Sequence, residues 1–302
     1  MSSPAAGASA VAARPGLRAR QVAADLFDLT KPKVQSLLLL TTVTTMEVAG
    51  SPSVSRVALT CLGGYLSAGG AGAVNHYWDR DIDARMKRTA NRPVPSGRIS
   101  PRVALTFGFS LAAASFALMT LTLGVLAASL ALGGFVGYVG VYTIGLKRRT
   151  PYNIVIGGAA GAMPPLVGWA ATTGSLSWTA VYLFAIVFYW TPPHFWALSL
   201  LMKDEYAEVG VPMLPVVKGE PETRRQILLY TLLLYAVTQL PFCAGAFGGV
   251  YLISSMVLGI GFLAGSVLLS RRADRRTALR LYLFSMLYLA LLFGAMVADV
   301  KL

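Results

Sequence analysis

Residues Val103–Leu121 read VALTFGFSLAAASFALMTL, and residues Leu126–Ile144 read LAASLALGGFVGYVGVYTI. Neither run holds an Asp, Glu, Lys or Arg, and each matches the about 20 residues that cross roughly 30 Å of hydrocarbon. Similar runs flank them at Val34–Ala49, Val57–Val74, Ile154–Thr172, Trp178–Leu200, Ile227–Phe247, Val250–Leu269 and Ala278–Ala298. Period-two alternation is absent, and an open strand facing lipid would leave backbone groups unpaired, so each run predicts a helix. The expected fold is an all-α integral membrane protein of about nine transmembrane helices. Composition agrees: 55% of the 302 residues are hydrophobic, 13% are charged, and mean hydropathy is +0.62. A soluble domain would carry about 25% charged residues.

The net charge of +13 would suggest nucleic acid in a soluble protein, but its distribution assigns it to topology. Of the 26 Lys and Arg, all but Arg56 and Lys301 precede the first run, lie in the connections that follow even-numbered runs or, for Arg280, stand at the start of the ninth run beside such a connection. By the positive-inside rule those connections are cytoplasmic, with the N-terminus inside and the C-terminus outside. No nucleic-acid partner is expected; membrane lipid is. Cys61 and Cys243 fall inside runs without a second Cys nearby and read as small buried apolar residues. Residues 1–24, rich in Ala, Ser and Arg and without an acid before Asp25, read as a disordered cytoplasmic tail, leaving 25–302 as a single transmembrane domain.

Chemistry concentrates in two longer cytoplasmic connections, Asp79–Arg102 and Lys203–Arg225, which occupy corresponding places in two successive four-helix halves. Such a positional repeat brackets a central cavity, here expected to open to the cytoplasmic side. In the first connection Asn75, Asp79 and Asp83 recur every fourth residue. On a helix that spacing aligns their oxygens along one stripe. Mg²⁺ takes hard oxygen ligands and is usually shared between one or two carboxylates and substrate phosphate. Acids are costly near a bilayer, so three Asp within five residues, in a chain with 13 acids, are unlike an ordinary helix end. Arg80, Arg85, Lys87, Arg88 and Arg92 follow and would hold phosphate oxygens as well as fixing topology.

The second connection opens Lys203-Asp204-Glu205-Tyr206, with Glu208 a turn later, and runs into Val211-Pro212-Met213-Leu214-Pro215. Its paired acids would hold a second metal across the cavity. Lys147-Arg148-Arg149 read either as a topology anchor or as cations for an anionic substrate. His194, in Pro192-Pro193-His194-Phe195-Trp196, reads either as a packing residue or as a haem contact, since haem iron takes His readily.

Asn75-x3-Asp79-x3-Asp83, followed by Arg88-Thr89-x-Asn91-Arg92-Pro93, resembles the first motif of the intramembrane aromatic prenyltransferase superfamily. Further stretches resemble its protohaem IX farnesyltransferase branch over nearly the whole chain. These are Thr30-Lys31-Pro32-Lys33, Leu146-Lys147-Arg148-Arg149-Thr150-Pro151, Asn153-Ile154-Val155-Ile156-Gly157-Gly158, Pro164-Pro165, Gly168-Trp169, Pro193-His194-Phe195-Trp196 and Pro212-Met213-Leu214-Pro215-Val216. The acid before Tyr206 is usually Asp in this branch and is Glu205 here, with Asp204 ahead of it. Glu208 matches nothing typical of the branch.

The resemblance implies transfer of the farnesyl group of farnesyl diphosphate to a vinyl group of haem b, giving haem O and diphosphate. A quinone-precursor aromatic acceptor is the alternative. It implies Mg²⁺ on Asn75, Asp79, Asp83, Asp204 and Glu205, the first three being catalytic. It also implies Arg88, Arg92 and Lys147 at the diphosphate, and His194 and Arg148 at haem. The expected setting is a bacterial plasma membrane, with the mitochondrial inner membrane as alternative. A haem A synthase or an oligomeric partner would be possible neighbours.

Overall fold

The computed structural model describes residues 15–302, with side chains from residue 19 onward. Its elements are α1 (Pro15–Leu29), α2 (Pro32–Ala49), α3 (Val54–Trp78), α4 (Arg80–Asp83), α5 (Pro101–Leu123), α6 (Val125–Val136), a π-helix (Gly137–Leu146), α7 (Asn153–Gly161), α8 (Met163–Thr173), α9 (Trp178–Leu201), α10 (Lys203–Glu208), α11 (Leu214–Val217), α12 (Gly219–Cys243), α13 (Gly249–Arg272) and α14 (Arg275–Lys301). There is no strand among the described residues.

Seven segments are long and apolar enough to cross a membrane: α3, α5, α6 with the π-helix, α7 with α8, α12, α13 and α14. The protein is an integral membrane protein. Two of the expected spans, α2 and α9, fall outside that set although they run 18 and 24 residues. The first is diluted by threonines, Lys33 and Glu47, and the second by Trp, Tyr and the Pro192-Pro193-His194 run.

Sequence expectation and structure part at the N-terminus. Helix α1 begins at Pro15, inside the segment read as a disordered tail; residues 1–14 lie outside the described residues. The buried contacts of α1 begin only after that segment: Asp25 accepts from Arg98 Nε at 2.9 Å, and Leu26 and Leu29 pack with Ala73, Val94 and Ile99. The cysteines also differ from expectation, Cys61 being half-buried and Cys243 exposed, on faces turned away from the core.

The helices pack as a closed ring. Helix α2 lies against α3, α8 and α14, and α14 lies against α9 and α13. Glu47, at the end of α2 remote from the acidic connections, pairs with Lys301 of α14 at 3.1 Å and so ties this closure.

The tightest seam is α3 on α5. A Cβ at Gly70 would stand 2.5 Å from the Gly108 carbonyl oxygen, and one at Gly108 would stand 2.8 Å from that of Gly70. Ser115 Oγ donates to Gly63 O at 2.7 Å along the same seam. Small residues at such crossings let backbones approach where lipid supplies no hydrophobic drive. Backbone cannot yield to a Cβ as a flexible side chain can. Gly70→Val is therefore expected to cost at least the about 1–3 kcal/mol typical of overpacking and to lower the melting temperature in detergent. Gly294→Ala, where nothing lies within 4 Å, is the matched control and is expected to melt no lower than wild type.

Candidate active site

Helix α3 formally ends at Trp78, yet its hydrogen-bond register carries through. Asp79 N donates to Asn75 O at 2.9 Å and Asp83 N to Asp79 O at 2.8 Å. The spacing of four therefore does place Asn75, Asp79 and Asp83 on one stripe. All three are buried, Asp79 completely.

Each stripe residue meets a cation. Asn75 Oδ1 accepts from Lys31 Nζ at 2.5 Å, while its Nδ2 donates to Asp79 Oδ2 at 2.7 Å and to Thr143 Oγ1 at 3.3 Å. Lys147 pairs with Asp79 Oδ2. Arg92 Nη1 pairs with Asp83 Oδ2 at 2.6 Å. Asp79 Oδ1 has no hydrogen bond, its neighbouring cation being Arg148 Nη2 at 3.5 Å. Arg148 reaches Asp81 with both Nη atoms, at 2.7 and 2.6 Å, and donates to Trp78 O at 2.9 Å. Its hydrogen bond holds the Asp81 carboxyl down to about 2. Of the expected cations, Arg92 and Lys147 thus sit on the stripe. Arg148, expected at haem, lies there too, and Arg88 is exposed on the same connection.

Two features of this arrangement escaped the sequence. Lys31 caps α2 in the left-handed region, φ 54, which costs a non-glycine residue about 1 kcal/mol. It sits there because the Leu29–Lys31 turn lies directly on Gly72, where a Cβ would be 2.9 Å from Leu29 O. Burial, with the charge of Arg92 added, pulls the Lys31 ammonium down to about 8. The other feature is the π-helix. At α-helical spacing, Tyr138 and Lys147 would face about 180° apart. The wider i→i+5 turns, continued by Lys147 N to Tyr142 O at 2.8 Å, bring Tyr138, Thr143 and Lys147 to the same neighbourhood. Tyr138 Oη accepts from Lys31 Nζ at 3.4 Å. Neither a lone TKPK run nor the apolar span signals these positions.

The second connection folds over the first. Ile82 and Met86 pack with Tyr206, Val209, Val211 and Met213, and Arg85 Nη2 donates to Val209 O at 3.3 Å. Asp204 is exposed; Glu205 is half-buried, with Oε2 buried and unpartnered. These acids do not merge with the stripe: among the described residues no three His, Cys, Asp or Glu stand close enough to share a metal. The stripe itself suits Mg²⁺, offering an amide oxygen and two carboxylates, of which that of Asp79 keeps Oδ1 free of hydrogen bonds.

His194 lies apart, on α9. It stacks on Trp190 with ring centroids 4.2 Å apart, and its Nδ1 meets Ser285 Oγ at 2.6 Å. His76, beside the stripe, is buried with both ring nitrogens unpartnered.

A chain from Symbiobacterium thermophilum named protoheme IX farnesyltransferase is 51% identical over 95% of this chain and 98% of its own length. Equally named chains from Chloroflexus aurantiacus and Thermus thermophilus are 55% identical over 93% and 91% of this chain. This chain spans only about half the length of those two, 48% and 46%. Among solved structures, a digeranylgeranylglyceryl phosphate synthase superposes with a TM-score of 0.77 at 20% identity, covering 93% of this chain and all of the other. A UbiA homolog from Archaeoglobus fulgidus bound to DMAPP and Mg²⁺ superposes at 0.65 and 16% identity, covering 90% and 99%. These distant likenesses establish the fold, and a family model matches residues 37–292, most of the ring just described. With the acidic stripe, Arg92, Lys147 and Arg148 inside the matched region, the chain belongs to the UbiA prenyltransferase family.

Proposed function

We propose that the protein transfers the farnesyl group of farnesyl diphosphate to a vinyl group of haem b, releasing haem O and diphosphate. The observation that carries the acceptor is the near full-length identity to the Symbiobacterium thermophilum protein; the stripe and its cations support the donor. All nine long segments cross the membrane on this reading. Alpha-helices α2 and α9 join the other seven, the cavity opens to the cytoplasm, and the C-terminus lies outside. The setting is a bacterial plasma membrane. Haem O leaves into lipid, where a haem A synthase or a second copy would receive it.

Bound at the stripe, Mg²⁺ would supply charge neutralisation for the departing diphosphate. Asn75, Asp79 and Asp83 would hold it, with Asp204 and Glu205 at a second position on the facing connection. The chain's cations do the rest by exchanging partners. In this structure Lys147 covers Asp79 and Arg92 covers Asp83. When substrate enters, both turn to diphosphate oxygens, joined by Arg88, so no buried charge stands unpaired in either state. Arg85 and the Ile82–Met213 contacts hold the two connections together over the site and keep water from the allylic carbon until the vinyl group attacks it and diphosphate leaves. Water then adds to the cation left on the haem side chain and loses a proton, which supplies the hydroxyl of haem O. His194 and Arg148 contact haem, the guanidinium of Arg148 leaving Asp81 for a propionate.

The decisive assay supplies detergent-purified protein with haem b, farnesyl diphosphate and Mg²⁺ and identifies products by mass. A hydroxyethylfarnesyl haem is expected. Unchanged haem from folded protein would overturn the proposal, and prenylation of a quinone precursor instead would move it to the alternative acceptor. Chelation with EDTA is expected to stop turnover and Mg²⁺ to restore it; full activity in EDTA would remove the metal.

A further inference from the structure

Ser285, on α14, makes two contacts to α9. Its carbonyl oxygen accepts from Trp190 Nε1 at 2.7 Å, and its Oγ meets His194 Nδ1 at 2.6 Å. The hydroxyl has one proton, and it is donated to Tyr282 O at 2.6 Å, one turn back along α14. Ser285 Oγ can then only accept from His194, so the imidazole proton resides on Nδ1. Nε2 is left with a bare lone pair and, unlike the nitrogens of His76, is not sealed inside the protein. Trp190 stacks on the ring at 4.2 Å and Tyr282 tilts against it at 4.9 Å, which removes its freedom to rotate.

We infer that Ser285 is a positioning residue: it fixes His194 as the Nδ1–H tautomer and aims the Nε2 lone pair for the iron of the haem substrate. A mere tie between α9 and α14 needs no such device, because the Trp190–Ser285 bond already supplies one. Histidines that bind metals almost always donate their other N–H to a fixed acceptor, which sets the tautomer and raises the basicity of the ligating nitrogen. Neutral imidazole with one free nitrogen is the form that iron takes. The inference rests on the reading of haem b as acceptor, and it gives α14 a part in the site.

The test is a haem b titration of the full chain in detergent, followed by the Soret band, with steady-state kinetics beside it. Wild type is expected to bind with an imidazole-ligated spectrum. Ser285→Ala is expected to weaken haem binding about 10–100-fold, raise KM for haem, and leave kcat and KM for farnesyl diphosphate near wild type. Ser285→Thr, which keeps the hydroxyl, should recover most of the affinity. Wild-type affinity and spectrum in Ser285→Ala overturn the positioning role. A spectrum unmoved by His194→Ala overturns the haem contact itself, and is a separate outcome. Histidine-selective ¹⁵N NMR without haem reads the tautomer directly, and with only two histidines in the chain His76→Asn completes the assignment. An Nε2–H signal for His194 in wild type would overturn the inference even if Ser285→Ala does not fold.

Discussion

Asp79→Asn is expected to lower farnesyl transfer about a thousandfold while the protein still inserts and folds. The substitution keeps the shape of a completely buried side chain, and the Asn oxygen can still accept from Asn75 Nδ2 and Lys147. What it removes is charge at the centre of the stripe. A metal-holding carboxylate contributes several kcal/mol to stabilising the oxygens of the leaving diphosphate, and about 4 kcal/mol corresponds to about a thousandfold in rate. Product formation at saturating substrates reads the loss, and size-exclusion behaviour in detergent reads folding. Turnover within tenfold of wild type would take Asp79 out of the chemistry.

The Lys147–Asp79 pair should show the second large effect. Its side chains are 14% and 1% exposed, so removing one charge strands the other. Breaking a buried pair costs about 3–5 kcal/mol, whereas replacing both partners with groups of similar volume is often neutral. Lys147→Met alone should therefore melt well below wild type, and Asp79→Asn with Lys147→Met should recover most of that loss. Both should be inactive, because the first also loses the cation that turns to the diphosphate. A double variant whose destabilisation is the plain sum of the two single ones would show that the residues do not interact.

What the sequence reveals here is what local spacing controls. Most apolar runs reappear as helices within about four residues of their expected ends, since continuous hydrophobicity depends on no distant partner; α12 is the exception, starting eight residues before its expected Ile227. The stripe is equally legible: Asn75, Asp79 and Asp83 share one face by helical geometry alone. Contacts made across the chain are another matter. Lys31 reaches Asn75 from 44 positions away through a left-handed turn over Gly72, and Thr143 and Lys147 reach the stripe through a π-helix. Glu47 has no visible role until Lys301 is folded beside it. Asp25 likewise finds Arg98 only after the first connection folds back. Asp204 and Glu205 match the stripe in position along the chain, yet among the described residues they form no group of three acids with it.

The glycine seam of α3 and α5 bears on how the protein is made. The two helices are consecutive spans, so they can dock as a hairpin as soon as α5 has left the insertion machinery. Lys147 has not been synthesised by then, and the connection carrying Asp79 and Asp83 still lies in water outside the bilayer. The Asp79 carboxylate therefore stays hydrated until the π-helix delivers Lys147, while Asp83 already has Arg92 in its own connection, and the burial of Asp79 is a late event in biogenesis. A seam that closes early and an acid stripe that is sealed late spare the nascent chain from ever placing a bare carboxylate in lipid.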